Sequence, residues 1–173
     1  MSDLAADPKA PRWIPIATAL LALLAAVTGL LGNLRVTQAN FAKSNAIIAT
    51  THAADTYNEY ESRSIKGHIY EAAIASGTAR DPRALERIAE HESAGKPALL
   101  KKAKAFEVEA QQFSERSEHI LTSHEILEVS TTLFEIAIVL ISVAALVGSR
   151  LLPLTAGVAG VVGAVVGAIG FTY

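Results

Sequence analysis

The side chains with the greatest capacity for chemistry in this sequence are five histidines and one isolated carboxylate. His119 follows Glu115 by one helical turn and His124 precedes Glu128 by one turn, so either pair could hold a metal ion or simply stabilise a helix. No histidine has a glutamate three residues before it, the spacing used by di-metal helix bundles. We therefore predict no metal site. His124 is predicted to be a structural residue of a helix seam, with a pH-sensitive or metal-linked switch as the alternative.

The motifs of the common enzyme classes are missing from the sequence. It has no glycine-rich phosphate loop, no Gly-x-Ser-x-Gly elbow and no His-Glu-x-x-His zinc motif. It has no cysteine, which excludes a disulfide framework and a cysteine nucleophile. The net charge of −2 provides no basic surface for nucleic acid. We expect no catalysis, no cofactor and no nucleic-acid partner.

The isolated carboxylate is Glu135, the only formal charge well inside an apolar segment. An ionisable group within a membrane helix is costly and is usually partnered. We predict that Glu135 lies near the membrane interface and pairs with Arg35, which leaves the first apolar segment on the same side. A contact between subunits and a role in transport are the alternatives, although an ion pathway would need more than one such group.

Three apolar segments must position these groups, and each is long enough to cross a membrane. They are residues 13–34, 130–149 and 151–173, close to the roughly 20 residues that a helix needs to span a hydrocarbon core. Apolar residues make up 51% of the chain and charged residues only 18%, which favours a membrane protein. Residues 1–12 precede the first segment as an N-terminal tail.

Residues 35–129 have the pattern of two long helices joined by a tip near residues 77–97. Along both helices, small and apolar residues recur at alternating steps of three and four, which is the signature of a coiled coil. We predict an antiparallel hairpin in which Phe113 faces Ala53 and Phe106 faces Tyr60, so that large residues meet small ones. The main packing residues of this seam are predicted to be Ala46, Ala49, Ala53, Phe106 and Phe113.

The third apolar segment contains a stripe of glycines. Gly160, Gly163, Gly167 and Gly170 recur at steps of three and four, which places them on one helix face. Small residues allow the backbones of membrane helices to approach closely. The contact could lie within a subunit or between subunits. We predict that this glycine face and the alanine seam together produce a homo-oligomer.

The segment from Tyr57 to Glu71 resembles the tyrosine-rich "YY-x-x-KSIK-x-x-x-YE" core of an uncharacterised bacterial membrane family, the domain of unknown function numbered 4337. The residues that carry the resemblance are Tyr57, Tyr60, Ser64, Ile65, Lys66, Tyr70 and Glu71. This sequence departs from that core in having Arg63 where lysine is usual and Asn58-Glu59 between the tyrosines. The resemblance implies one N-terminal span, a long helical middle, a closing pair of spans and a bacterial source. It implies no activity and no catalytic residues.

The sequence thus predicts an all-α protein with three transmembrane helices and a long extramembrane antiparallel helical hairpin. We expect a multi-pass protein of the bacterial inner membrane, with a cytoplasmic N-terminus and the helical domain outside. Its expected role is structural or interactive, with the lipid bilayer, copies of itself and other membrane proteins as partners. Two alternatives stay open: a small channel or transport-associated subunit whose oligomer encloses a pore lined by Glu135, and an accessory subunit of a larger membrane complex.

Overall fold

The computed structural model describes residues 13–149 and 151–173, so the predicted N-terminal tail, residues 1–12, lies outside the described residues. The described chain is all-α, with four helices and no strand. α1 spans Trp13–Ala75, α2 spans Pro82–Ala94, α3 spans Lys96–Val147 and α4 spans Leu151–Thr172. By length and composition, three apolar stretches, one each in α1, α3 and α4, could cross a membrane.

Local sequence signals set the ends of the first two helices. α1 contains no proline after Pro15, which falls in the first turn where a backbone N–H is not needed. It ends before Gly77, whose φ of 70° is a left-handed conformation that glycine adopts without steric cost. α2 begins after Asp81, whose side chain accepts a hydrogen bond of 3.1 Å from the backbone N–H of Ala84.

α3 follows α2 with almost no break. The predicted tip includes a break in the helix from Gly95 to Pro97. In the structure, Gly95 keeps a helical backbone with φ −80° and ψ −17°, and α3 begins at Lys96. Pro97 lies in the first turn of α3, where its missing N–H removes no helical hydrogen bond. Only one residue, Gly95, therefore separates α2 from α3.

The chain forms two compact units, and each contains parts of α1 and α3. Among the described residues, we call 13–39 together with 118–149 and 151–173 the apolar unit, and 40–117 the middle unit. The largest fully buried side chains of the whole described chain all belong to the apolar unit. They are Leu127 and Phe134, followed by the hydroxyl-bearing Ser123 and Ser130.

Small residues bring the three helices of the apolar unit close together. Ala137 and Ile141 of α3 pack with Ala156 of α4, and the side chains of Ile14 and Leu21 of α1 lie against this cluster. Elsewhere in the unit, the hydroxyl of Thr131 donates a hydrogen bond of 2.9 Å to the hydroxyl of Thr28. α1, α3 and α4 therefore contact one another within this unit.

The middle unit has a core of small side chains. Its buried residues are Ala42, Ala49, Ala53, Thr56, Gly67, Ala103 and Ser117. Contacts between α1 and α3 run in opposite directions along the two helices. The ring centroids of His52 and Phe106 lie 5.3 Å apart. Further along α1, the hydroxyl of Ser64 accepts a hydrogen bond of 3.3 Å from Nζ of Lys96.

Candidate functional site

The glycine face of α4 is buried against the other helices of the apolar unit. Gly160, Gly163, Gly167 and Gly170 are all buried. If a Cβ atom were added to each of these glycines, it would lie 2.7–3.5 Å from side chains of α1 and α3. These side chains are Leu21 and Thr28 on α1 and Ile126, Leu127, Ser130, Leu133 and Phe134 on α3. At these distances even an added Cβ would force neighbouring side chains to shift, so glycine permits the close approach of the helices here.

Two serine hydroxyls of α3 bind the backbone of this glycine face. Ser130 Oγ donates a hydrogen bond of 2.8 Å to the carbonyl oxygen of Gly163, and Ser123 Oγ donates one of 2.8 Å to that of Gly170. Both serines are fully buried. The sequence interpretation missed these residues, although their separation of one heptad places them on the same face of α3.

The position of the glycine face corrects one expectation from the sequence. A homo-oligomer built through these glycines requires the face to be free for another subunit. Instead, side chains of α1 and α3 from the same chain cover it at all four glycines. A surface already packed within one subunit cannot also pack against a second, so any assembly of the apolar unit must use another face.

We expect the effects of Gly167→Ala and Ser130→Ala on the free energy of unfolding to be strongly non-additive. An added Cβ at Gly167 would lie 2.7 Å from Ser130 Oγ, so the hydroxyl must turn away from its acceptor. We expect the alanine at residue 167 to reduce the free energy of unfolding by about 2 kcal/mol, measured by titration with a denaturing detergent. Ser130→Ala alone loses one interhelical hydrogen bond, worth about 0.6 kcal/mol in a membrane protein.

The double variant supplies the control for this prediction. With Ser130 truncated, the clashing oxygen is gone, and the remaining atoms near the new Cβ lie at an ordinary 3.5 Å. The double variant should therefore be little less stable than Ser130→Ala alone. Additive losses would contradict the geometry, because they would mean that the two changes act independently.

Glu135 lies midway along the apolar unit rather than near its end. The adjacent residue, Phe134, contacts Gly163, which is at the middle of α4. On the α1 side, Gly29 lies beside Thr131, so Glu135, one turn further along α3, is level with about residue 25. The side chain of Glu135 is exposed on the outside of the unit. A bilayer centred on the apolar unit would therefore place Glu135 near mid-depth, rather than near the interface as the sequence predicts.

The predicted ion pair between Arg35 and Glu135 is not formed. Among the residues that the structure describes, neither side chain lies within 4.0 Å of an oppositely charged group. Arg35 lies on the far side of Gly29 from the level of Glu135, so the two residues are about 15 Å apart along the helix axes. At mid-depth in a hydrocarbon core, a carboxylate without a partner would cost about 2.5–3.5 kcal/mol.

Glu135 belongs to an exposed stripe on α3 that the sequence interpretation did not identify. We call it the outer stripe: Glu128, Thr132, Glu135, Val139, Ser142 and Leu146, all exposed. These residues recur at steps of four and three, the spacing of a left-handed helix pair. The period was visible in the sequence, but only the structure shows that this face of α3 is uncovered, since the opposite face packs on α1 and α4.

His124 occupies a confined position in the apolar unit. Its Nδ1 atom is buried and has no hydrogen-bond partner, and its Nε2 atom lies 3.6 Å from the carboxylate of Glu128. An added Cβ at Gly32 would lie 3.2 Å from Nδ1. His124 therefore occupies the helix–helix contact where the sequence predicts a seam residue, with its ring held against a glycine of α1.

The phenylalanines of the middle unit contact α1 one heptad away from the predicted register. Phe106 packs against His52, the neighbour of the buried Ala53, rather than against Tyr60. The same register brings Phe113 to the level of Ala46 instead of Ala53. A shift by one heptad leaves the same faces in contact, so the spacing of apolar residues alone does not detect it. Within this seam, Ala49 and Ala53 are buried, and Ala46, Phe106 and Phe113 are half-buried.

Comparison with known proteins assigns the chain to a family. A family model described as "Domain of unknown function (DUF4337)" matches residues 10–173, nearly the whole chain. The chain belongs to the DUF4337 family. No curated protein and no solved structure matches it. The DUF4337 description assigns no activity, so only the geometry of the described residues can support a function.

The tyrosine-rich segment that resembles the DUF4337 core lies on α1 in the middle unit. Tyr57, Tyr60, Ser64 and Tyr70 are half-buried, whereas Ile65, Lys66 and Glu71 are exposed. Burial raises the pKa of the Tyr57 phenol, and a hydrogen bond to Glu107 and the negative charge of that carboxylate raise it further. Within residues 13–149 and 151–173, no three His, Asp or Glu side chains converge as metal ligands.

Proposed function

We propose that this DUF4337 protein is an integral membrane protein with a structural or interaction role and no catalytic activity, and that it assembles with copies of itself through α3. The observation that carries this proposal is the exposed outer stripe on α3, with Glu135 near its centre. A membrane helix that exposes an ionisable group away from its own subunit places it where another chain can supply a partner.

The exposed surface of the apolar unit supports insertion into a bilayer. Large aliphatic side chains point outward from α1 and from α4, and such an apolar surface would be unfavourable in water. They include Ile16, Leu20, Leu23 and Leu30 on α1, and Leu154, Val158, Val161 and Val165 on α4. The bacterial inner membrane is the proposed location, with the N-terminus in the cytoplasm and the middle unit outside.

The contacts in the middle unit support an extramembrane antiparallel coiled-coil hairpin. The pairs His52–Phe106 and Ser64–Lys96 run in opposite directions along α1 and α3. The alternating three- and four-residue stripes supply the buried and half-buried faces of both helices. Many of the buried residues are alanines, which contribute little apolar area each, so a second copy beside this hairpin would add to its stability.

The outer stripe is the face best suited to self-assembly because the glycine face is already used within the chain. Among residues 13–34, 130–149 and 151–173, only Glu135 carries a formal charge. The other exposed faces of α1 and α4 are largely aliphatic and are well solvated by lipid tails. Association of membrane helices depends on close packing and on interhelical hydrogen bonds, and the outer stripe offers both.

We expect Val139→Trp to abolish self-assembly and Val158→Trp to preserve it. The two valines are each 59% exposed, but Val139 lies in the outer stripe and Val158 lies on α4. A tryptophan at residue 139 prevents close approach of two α3 helices, whereas one at residue 158 extends into lipid. The measurement is the mass of the complex in nanodiscs by native mass spectrometry.

Each outcome of this experiment separates the functional alternatives. A dimer that Val139→Trp dissociates supports self-assembly through α3. A ring of more copies, with Glu135 facing the central axis, would favour the channel or transport-associated subunit. Co-purification with an unrelated chain would favour an accessory subunit, and a monomeric native protein would contradict self-assembly.

A further inference from the structure

Glu135 is the side chain of the apolar unit whose position the packing within the chain does not explain. It is exposed at mid-depth, and no described residue forms a hydrogen bond or ion pair with its carboxyl group. The other polar residues of the outer stripe have partners on their own helix. Thr132 donates to the carbonyl oxygen of Glu128 at 3.0 Å, and Ser142 donates to that of Ile138 at 2.8 Å. Within the outer stripe, Glu135 is therefore the polar residue that lacks a partner among the described residues.

A second copy of this chain supplies that partner with the correct geometry. Copies that insert into a membrane in the same orientation present their α3 helices in parallel. In a parallel pair with twofold symmetry, each stripe residue meets the same residue of the other copy. Glu135 lies near the centre of the outer stripe, so it faces Glu135 of the second copy where the two helices are closest.

We propose that the Glu135 carboxyl groups of two copies hydrogen-bond to each other across the twofold axis of an α3–α3 dimer; this inference rests on the proposed self-assembly. In this arrangement each neutral carboxyl donates its O–H to the carbonyl oxygen of the other. Neither group then carries a charge in the hydrocarbon core, and neither has an unsatisfied donor. A polar residue at one seam position also fixes register and the number of copies.

Glutamine and leucine substitutions at residue 135 test the hydrogen bond directly. An amide both donates and accepts, so Glu135→Gln can form the same reciprocal pair. We expect its dimer dissociation constant to stay within about twofold of the native value. Leucine fills a similar volume but cannot form hydrogen bonds, so Glu135→Leu should raise the dissociation constant about tenfold. The measurement is a dilution series in liposomes, followed by fluorescence energy transfer between labelled copies.

Disulfide cross-linking tests the register independently of affinity. The native chain has no cysteine, so single cysteines can be introduced without background. Val139→Cys should cross-link two copies on oxidation, because residues that meet across the twofold axis bring their Cα atoms within the about 7 Å that a disulfide requires. Val158→Cys, with equal exposure on α4, should remain uncross-linked.

The outcomes distinguish this inference from the proposed function. If Glu135→Leu dimerises as tightly as the native protein while Val139→Trp is monomeric, the carboxyl pair is wrong and assembly through α3 stands. If Glu135→Gln weakens the dimer as much as Glu135→Leu, the reciprocal hydrogen bond is also wrong. If neither Val139→Trp nor Glu135→Leu changes the mass of the complex, assembly through α3 itself fails. A stoichiometry above two overturns the twofold pair.

Discussion

Gly163→Leu is expected to destabilise the apolar unit by about 3 kcal/mol, the upper end of the cost of overpacking a well-filled core. A Cβ at this residue would lie 3.2 Å from Leu133 Cβ and 3.3 Å from the ring of Phe134, before the rest of the leucine side chain is added. α4 must then move away from α3, and the hydrogen bond from Ser130 to the carbonyl of Gly163 is lost. Titration with a denaturing detergent, followed by circular dichroism, measures the free energy of unfolding.

Gly157→Leu is the matched control for this variant. It makes the same change on the same helix, but no atom lies within 4 Å of the added Cβ. Its free energy of unfolding should remain close to the native value, because the new side chain extends into open space outside the unit. If Gly163→Leu unfolded like this control but changed only the mass of the complex, the glycine face would be an intersubunit contact and the packing described above would be wrong.

The second large effect is expected for Phe134→Ala. Phe134 is among the largest fully buried side chains, and its ring lies against the glycine face of α4. Removing the ring leaves a cavity between α3 and α4 and eliminates many dispersion contacts in the interior of the unit. Phenylalanine-to-alanine changes in buried positions cost about 3–5 kcal/mol, and we expect a loss near 3 kcal/mol in the detergent titration.

Two further variants make this prediction specific. Phe171→Ala removes the same ring from an exposed position on α4 and should leave the free energy of unfolding unchanged. The double variant Phe134→Ala with Gly163→Leu places new side-chain volume beside the cavity. Its loss in free energy of unfolding should be smaller than the sum of the losses of the two single variants, because the two residues are in contact. A strictly additive result would argue against that contact.

The sequence predicts which face of a helix is buried better than it predicts what covers that face. The spacing of Gly160, Gly163, Gly167 and Gly170 correctly identifies one packed face of α4. It does not reveal that α1 and α3 of the same chain fill it. Periodicity is a property of one helix, whereas the identity of the partner depends on how distant segments come together in space.

The position of Glu135 along the apolar unit could not be predicted from the sequence either. Glu135 stands only seven residues after Glu128, so counting from the charged region places it near an interface. The contacts of Gly29 and Gly163 place it midway along the apolar unit. The register of Phe106 shifts by one heptad for a related reason, since each slip of seven residues preserves the repeat. All-helical structure and the apolar stretches needed no such information and followed from composition and length.

The glycine face joins segments that are far apart along the chain, with consequences for how the protein is made. Leu21 meets Gly160, yet translation at about 5–20 residues per second separates their synthesis by on the order of 10 s. Ser130 is made 33 residues before Gly163 and Ser123 is made 47 residues before Gly170, so both hydroxyls also precede the carbonyl oxygens that accept their hydrogen bonds. Until α4 docks, the apolar unit is therefore an incomplete bundle. The contacts that complete it are among the last to form, because they require all three helices to have been synthesised.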